Sequence, residues 1–260
     1  MSVVGDRVAF ITGAGSGTGQ AIARMLAEDG YSLVLVGRNR AALTDVGATL
    51  ATPWLLAEAD LADAAATGAA MAAGLDWCGG RIDALVNAAG ITGPLGKPLG
   101  EISVAEFDAV IAVNLRACFV TLSAALPAMY RRKSGRVVSI GGTHGQRGRP
   151  GRASYVASKW ALRGLHRSAA IEAGPHGVTV NLVMPGPIGV PRMQGLWRAE
   201  AAATGRAEAE VIAGYTERMG GVLGRISTPE EIAGVVRFLL SDVATNITGQ
   251  DITIDGGTIL

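Results

Sequence analysis

Apolar residues recur along the chain in short unbroken runs, at 8–12, 33–36, 54–57, 84–86, 137–140, 178–183 and 252–254. A strand with water on one face alternates apolar and polar side chains, so unbroken runs predict parallel strands covered on both faces. Stretches of helical periodicity separate the runs. That alternation predicts a doubly wound, Rossmann-like α/β fold: one domain over residues 1–260, with a seven-stranded parallel sheet and helices on both faces. Ser103 with Glu106, and Thr228 with Glu231 around Pro229, have the spacing of capping boxes and mark two helix starts. Pro127 falls late in the helix that follows Ser103 and is expected to bend or end it. The Ala-rich stretch 64–73 suits a helix.

Composition narrows the partners. Apolar residues are 49% of the 260 and charged residues 17%, which supports a buried core and excludes disorder as the main state. A net charge of +1 gives no basic field to hold nucleic acid or an acidic membrane. Cys78 and Cys118 lack a C-x-x-C pairing and read as packing residues, and His144, His166 and His176 are too scattered to hold a metal. Residues 1–7 carry no secretory pattern and no stretch reads as a membrane span, so the expected location is cytoplasmic.

The first predicted strand runs into Thr12-Gly13-Ala14-Gly15-Ser16-Gly17-Thr18-Gly19, and a helical pattern follows. Glycines here let the backbone turn tightly and approach a pyrophosphate, which then lies at a positive helix N-terminus. The second strand ends Val36-Gly37-Arg38. A carboxylate there would bond the ribose hydroxyls of NAD, whereas a guanidinium suits the 2′-phosphate of NADP. Arg38 therefore favours NADP, with NAD the alternative if Arg38 is only a solvated loop residue.

The spacing of this glycine loop, with Asp60, Asn87-Ala88-Ala89-Gly90, Asn114, Tyr155-x-x-x-Lys159 and Pro185-Gly186, resembles the short-chain dehydrogenase/reductase family. The resemblance spans nearly the whole chain and ends in Asp255-Gly256-Gly257, a tail similar to the one through which the family forms tetramers. It implies an NAD(P)-dependent oxidoreductase that interconverts a secondary alcohol and a ketone or aldehyde, as a homotetramer or homodimer. By the same resemblance Gly13, Ser16, Gly17, Thr18 and Gly19 hold the pyrophosphate. Asp60 and Leu61 contact the adenine, and Asn87, Ala88 and Gly90 line the adenosine side. Pro185, Gly186 and Ile188 flank the nicotinamide, and Asn114 organises a proton-relay water.

Tyr155 and Lys159 are four residues apart in a helical pattern, so their side chains share a face. A phenol with a pKa of about 10 exchanges protons poorly at neutral pH, but a neighbouring ammonium favours the phenolate. Tyr155 is thus the expected general acid or base, and Lys159 also holds the nicotinamide ribose. Where the family carries a serine donor ahead of this tyrosine, Gly142 stands, and one such donor is worth about 2.7–4 kcal/mol in a transition state. Thr143 is the expected replacement, Ser139 a weaker one. Alternatively Gly142 leaves room for a bulkier substrate or a water. Two other readings stay open: a dinucleotide-binding scaffold or sensor without turnover, and a lyase or epimerase on the same fold.

Substrate identity rests on a variable lid at about 189–221, where Leu196, Trp197, Val211, Ile212 and Tyr215 form either an apolar cover or ordinary helix core. The loop Gln146-Arg147-Gly148-Arg149-Pro150-Gly151-Arg152 crowds three guanidiniums beside the catalytic helix. Arg152 and His144 are the expected substrate residues. An anionic substrate gripped by Arg152 and a neutral carbonyl bound by the lid both remain open.

Overall fold

The computed structural model describes residues 4–260, so the first three of the residues 1–7 discussed above lie outside it. Seven parallel strands form one sheet: β1 (Val8–Thr12), β2 (Ser32–Gly37), β3 (Trp54–Glu58), β4 (Ala84–Asn87), β5 (Gly135–Ile140), β6 (Val178–Pro185) and β7 (Asp251–Ile254). Their order across the sheet is β3-β2-β1-β4-β5-β6-β7, each neighbouring pair parallel. Chain order reverses between β1 and β4, and in such sheets the crevice at the carboxyl ends of the strands at that point takes the ligand.

Why the strands read as unbroken apolar runs is visible in β1. Val8 and Phe10 join the core on one face, with α3 (Ala64–Trp77), α5 (Ala117–Arg132) and α6 (Ala153–Ala173). Ala9 and Ile11 join the core on the other, with α1 (Gly17–Glu28), α2 (Arg40–Gly47) and α9 (Pro229–Leu240). Every residue of β1 and β2 is buried, so neither face can carry polar side chains without a partner.

Both predicted capping boxes form. Ser103 Oγ accepts from the Glu106 amide and Glu106 reaches back to the Ser103 amide at the start of α4 (Val104–Ile111), and Thr228 and Glu231 repeat this at α9. Of the two outcomes expected at Pro127, a bend or an end, the end is excluded: α5 runs on to Arg132. Pro127 and Ser123, whose carbonyl loses its amide partner to the proline, both lie on the exposed side, where water can bond that carbonyl.

Between α4 and α5 the chain makes a π-helical turn at Ala112–Arg116, giving one continuous helix over Val104–Arg132. That helix is long and apolar enough to cross a membrane by length and composition only. Its buried face, with Val110, Cys118, Leu122 and Met129, is packed inside the protein. Two further helices, α7 (Pro191–Thr204) and α8 (Glu208–Met219), pack on each other and occupy the stretch expected as a lid.

Candidate active site

A cleft of about 750 Å³ opens at the carboxyl ends of the strands, where chain order reverses between β1 and β4. The glycine loop forms one wall. Gly13 adopts φ 71° and packs so tightly on the β4 end that a Cβ there would lie 2.8 Å from the Ala89 backbone. At Gly19 a Cβ would fall 2.2 Å from the Gly13 carbonyl oxygen. These contacts bring α1 close under the loop. Its N-cap, Ser16, makes no side-chain cap, so the first amides of α1 are available to an anion. Gly13, Ser16, Gly17, Thr18 and Gly19 all line the cleft.

Arg38, Asp60 and Leu61 line the cleft's far end. Arg38 is exposed and, among the described residues, bonds no carboxylate. Asp60 closes a local turn on the Ala62 amide, and the cap of α3 is Asp63. Ala88 and Gly90 also line the cleft. Asn87 does not, and the expectation for its side chain is corrected: Nδ2 donates to Ser139 Oγ at 3.1 Å and Oδ1 accepts from Thr121 Oγ1 at 2.8 Å. Both its polar ends are spent tying β4 to β5 and α5.

Tyr155 and Lys159 project from the first turns of α6 into the middle of the cleft. Lys159 is 4% exposed, its Nζ donates to the Ile140 carbonyl at 2.9 Å, and it lies 5.5 Å from the Tyr155 ring centroid. A buried ammonium with one carbonyl partner has donors left for a ligand. Asn114 sits in the π-helical turn and is likewise buried. Its Oδ1 accepts from the Ile91 amide, and its Nδ2 donates to the Ile91 carbonyl and to Ser158 Oγ. Ser158 Oγ in turn donates to the Tyr155 carbonyl at 2.7 Å. The Asn114 side chain therefore braces the loop after β4 against the catalytic helix, rather than facing the cleft.

Gly142 has φ 144°, a conformation that favours glycine, and a Cβ there would lie 3.7 Å from the Tyr155 hydroxyl with nothing nearer. A side chain at this place would therefore reach the phenol, and its absence leaves space beside it. Thr143 begins a short 3₁₀ turn (Thr143–Gly145), lines the cleft and is nearly buried. Its hydroxyl has no protein partner among the described residues. Ser139 is fully buried in the Asn87 network and also bonds His166 Nε2 at 2.7 Å, so it is unavailable to a substrate.

His144, Arg152, Pro185, Gly186 and Ile188 complete the lining. His144 meets the Tyr155 ring edge to face at 5.2 Å, and burial, with Arg152 the next cause, holds its pKa down at about 4. The Arg152 guanidinium stacks on the Tyr155 ring at 4.8 Å. Of the five residues read as either a cover or helix core, Tyr215 lines the cleft. Trp197 and Val211 are buried, Trp197 packing edge-on against Tyr215 at 5.6 Å, and Leu196 is 45% exposed. Sequence reasoning missed Arg192, Met193 and Met219, which also line the cleft. Arg192 could have been noticed as the residue after Pro191, at the N-terminus of a helix that follows the Pro185-Gly186 motif.

Over residues 13–258 the chain matches the family described as Enoyl-(Acyl carrier protein) reductase. It is 36% identical to a Monensin polyketide synthase putative ketoacyl reductase of Streptomyces virginiae, over 97% of both chains. It is also 36% identical to levodione reductase of Leifsonia aquatica, over 97% of this chain and 94% of that one. The crystal structure of a levodione reductase superposes with a TM-score of 0.88 at 33% identity, covering 98% of each chain. This chain belongs to the short-chain dehydrogenase/reductase family and is an NAD(P)-dependent oxidoreductase acting on CH–OH groups.

Proposed function

We propose that the protein interconverts a secondary alcohol and a ketone or aldehyde with NADP, using Tyr155 as the general acid or base. The observation that carries this reading is the convergence of Tyr155, Lys159 and the glycine loop on one cleft at the sheet's switch point. The cradle fits a dinucleotide: Gly13 and Gly19 leave no room for side chains, and the α1 N-terminus is uncapped. Gly13, Ser16, Gly17, Thr18 and Gly19 would hold its phosphates, Arg38 the 2′-phosphate, and Asp60, Leu61, Ala88 and Gly90 the adenosine. Lys159 would hold the nicotinamide ribose, with Pro185, Gly186 and Ile188 beside the ring. When bound, the cofactor supplies or accepts a hydride at the substrate carbon.

The chain's own part is positioning and proton transfer. Tyr155 Oη gives a proton to the carbonyl oxygen in reduction and takes one from the alcohol in oxidation. Thr143 Oγ1 donates the second hydrogen bond to that oxygen, in place of a side chain at 142. Asn114 fixes α6 so that the phenol stays aligned. The reading includes a cytoplasmic location and a homotetramer or homodimer; exposed apolar side chains on the helices, such as Phe119, Trp160 and Phe238, support self-association.

A panel of ketones and aldehydes, followed by absorbance of reduced nicotinamide, tests the activity. Steady oxidation of NADPH with stoichiometric alcohol is the expected result. Gly142 favours one competing reading, a dinucleotide sensor without turnover, and tight binding of NADPH with no turnover across the panel would establish it instead.

A further inference from the structure

We propose that the substrate end of the cleft is an anion pocket, in which Arg152, aided by Arg192 and the Tyr215 hydroxyl, grips a carboxylate carried by the carbonyl substrate. The proposal rests on the oxidoreductase reading and names the substrate class of the same site.

Position comes first. Arg152 immediately precedes α6, one turn before Tyr155, and its guanidinium lies over the phenol ring and lines the cleft. A group gripped there sits beside the hydroxyl that handles the proton. The dinucleotide phosphates belong on the glycine loop, whose nearest neighbours at Gly17 are Val190 and Pro191, so they do not account for Arg152.

Charge is the second observation. The charged side chains lining the cleft are Arg38, Asp60, Arg152, Lys159 and Arg192. The single carboxylate, Asp60, is at the adenine end and engaged with its own turn. Nothing negative faces Arg152. The nearby Arg147 and Arg149 deepen the imbalance, and the low pKa of His144 reflects it: after burial, Arg152, Arg149, Arg147 and Lys159 all push it down. His144 therefore adds no acid of its own at neutral pH and presents a neutral imidazole.

The third observation is an unspent donor set. Arg152 is partly buried and, among the described residues, makes no hydrogen bond or ion pair; its only polar engagement is with the face of Tyr155. Two of the other partly buried arginines are matched: Arg81 chelates Asp83 through two nitrogens and Arg163 holds Asp251 at 2.7 Å. A guanidinium removed from water without an acceptor is unfavourable, and a carboxylate bound in bidentate fashion would offset that cost. Burial pushes the Arg152 pKa down, the direction an anion would reverse. Tyr215 reaches the same space from α8. Burial raises its pKa against the pull of Arg149 and Arg152, so it stays a phenol able to donate a hydrogen bond.

The test uses matched pairs: 3-oxobutanoate, 4-oxopentanoate and 5-oxohexanoate, each beside its methyl ester, reduced with NADPH by wild type, Arg152→Gln and Arg152→Lys. The wild type is expected to prefer the acid at one chain length, and Arg152→Gln should lower the acid-to-ester ratio of kcat/KM about 30-fold. Arg152→Lys, which keeps charge but loses the fork, should fall between. Calorimetric titration of the NADP⁺ complex with glutarate is the second readout, and binding should weaken by a similar factor in Arg152→Gln. An acid-to-ester ratio that Arg152→Gln leaves unchanged overturns the pocket while the oxidoreductase reading stands. If wild type reduces none of these six compounds, glutarate binding alone decides the pocket: equal affinity in wild type and Arg152→Gln overturns it.

Discussion

The two ends of the cleft are built from different materials. At the cofactor end the surface is mostly backbone: glycines pressed against the Ala89 and Gly13 main chains, and the free amides of α1. Such a surface has little freedom to change, because any side chain would collide with atoms that cannot move aside. At the substrate end the surface is side chains, Arg152, Arg192, Tyr215 and Met219, carried partly by the α7–α8 pair outside the sheet. On the proposed reading, one end takes the dinucleotide by main-chain geometry, whereas the other takes the substrate by side chains.

Breaking the rigid end should have the largest effect. Gly19→Ala places a Cβ 2.2 Å from the Gly13 carbonyl oxygen, and a clash with backbone must push the loop from α1. Dinucleotide affinity, measured by fluorescence titration, should fall by about 100-fold or more, since several phosphate bonds depend on that packing. Retention of wild-type affinity would mean the loop does not cradle the phosphates.

At the chemical centre, Thr143→Ala should lower kcat by about 100-fold with little change in KM, as an oxyanion donor acts mainly in the transition state. Unchanged kcat would leave Tyr155 as the sole donor. Restoring a hydroxyl by Gly142→Ser is a poor rescue, because φ 144° strains any residue with a Cβ.

Arg38→Asp probes the one place where the cofactor end uses a side chain. It should shift the NADP-to-NAD ratio of kcat/KM toward NAD by about 10-fold or more, by removing a phosphate partner and adding a repulsive carboxylate. An unchanged ratio would put Arg38 outside the site.

The smallest expected effect lies beneath both ends. His166 is buried, its Nδ1 bonded to the Leu162 carbonyl and its Nε2 to Ser139, and burial holds its pKa at about 4 against an ordinary 6.5. The folded protein then binds fewer protons at this group than the unfolded chain. The stability it contributes is full above pH 6.5 and is lost as pH falls toward 4. Denaturant midpoints across that window should decline less steeply in His166→Asn than in wild type, and parallel curves would contradict the assignment.

Much of the fold was legible because burial on both sheet faces leaves an apolar run that needs no partner to be recognised, as in β1 and β2. The site was legible where it depends on local order: strand, glycine loop, helix, and a Tyr–Lys pair one turn apart. Contacts between distant segments were not. Asn87 was read as a cofactor residue, yet its amide is consumed by Ser139 and Thr121, which lie 52 and 34 residues away. Trp197 and Val211 fitted a cover and a helix core equally well; only their burial in the paired α7 and α8 decides for the core. The π-helical turn that carries Asn114 leaves no mark in the periodicity.

The measurement that bears most directly on the central claim compares Tyr155→Phe with wild type in two assays on the same preparation. One is NADPH binding and the other is ketone reduction. The ring and its contacts with Arg152 and His144 are kept and only the proton donor is removed. Binding should stay within about threefold while kcat falls by about 10²–10⁴, the usual contribution of a general acid. A variant that keeps a tenth of wild-type kcat, a loss of only about 1.4 kcal/mol, would show that the proton comes from elsewhere.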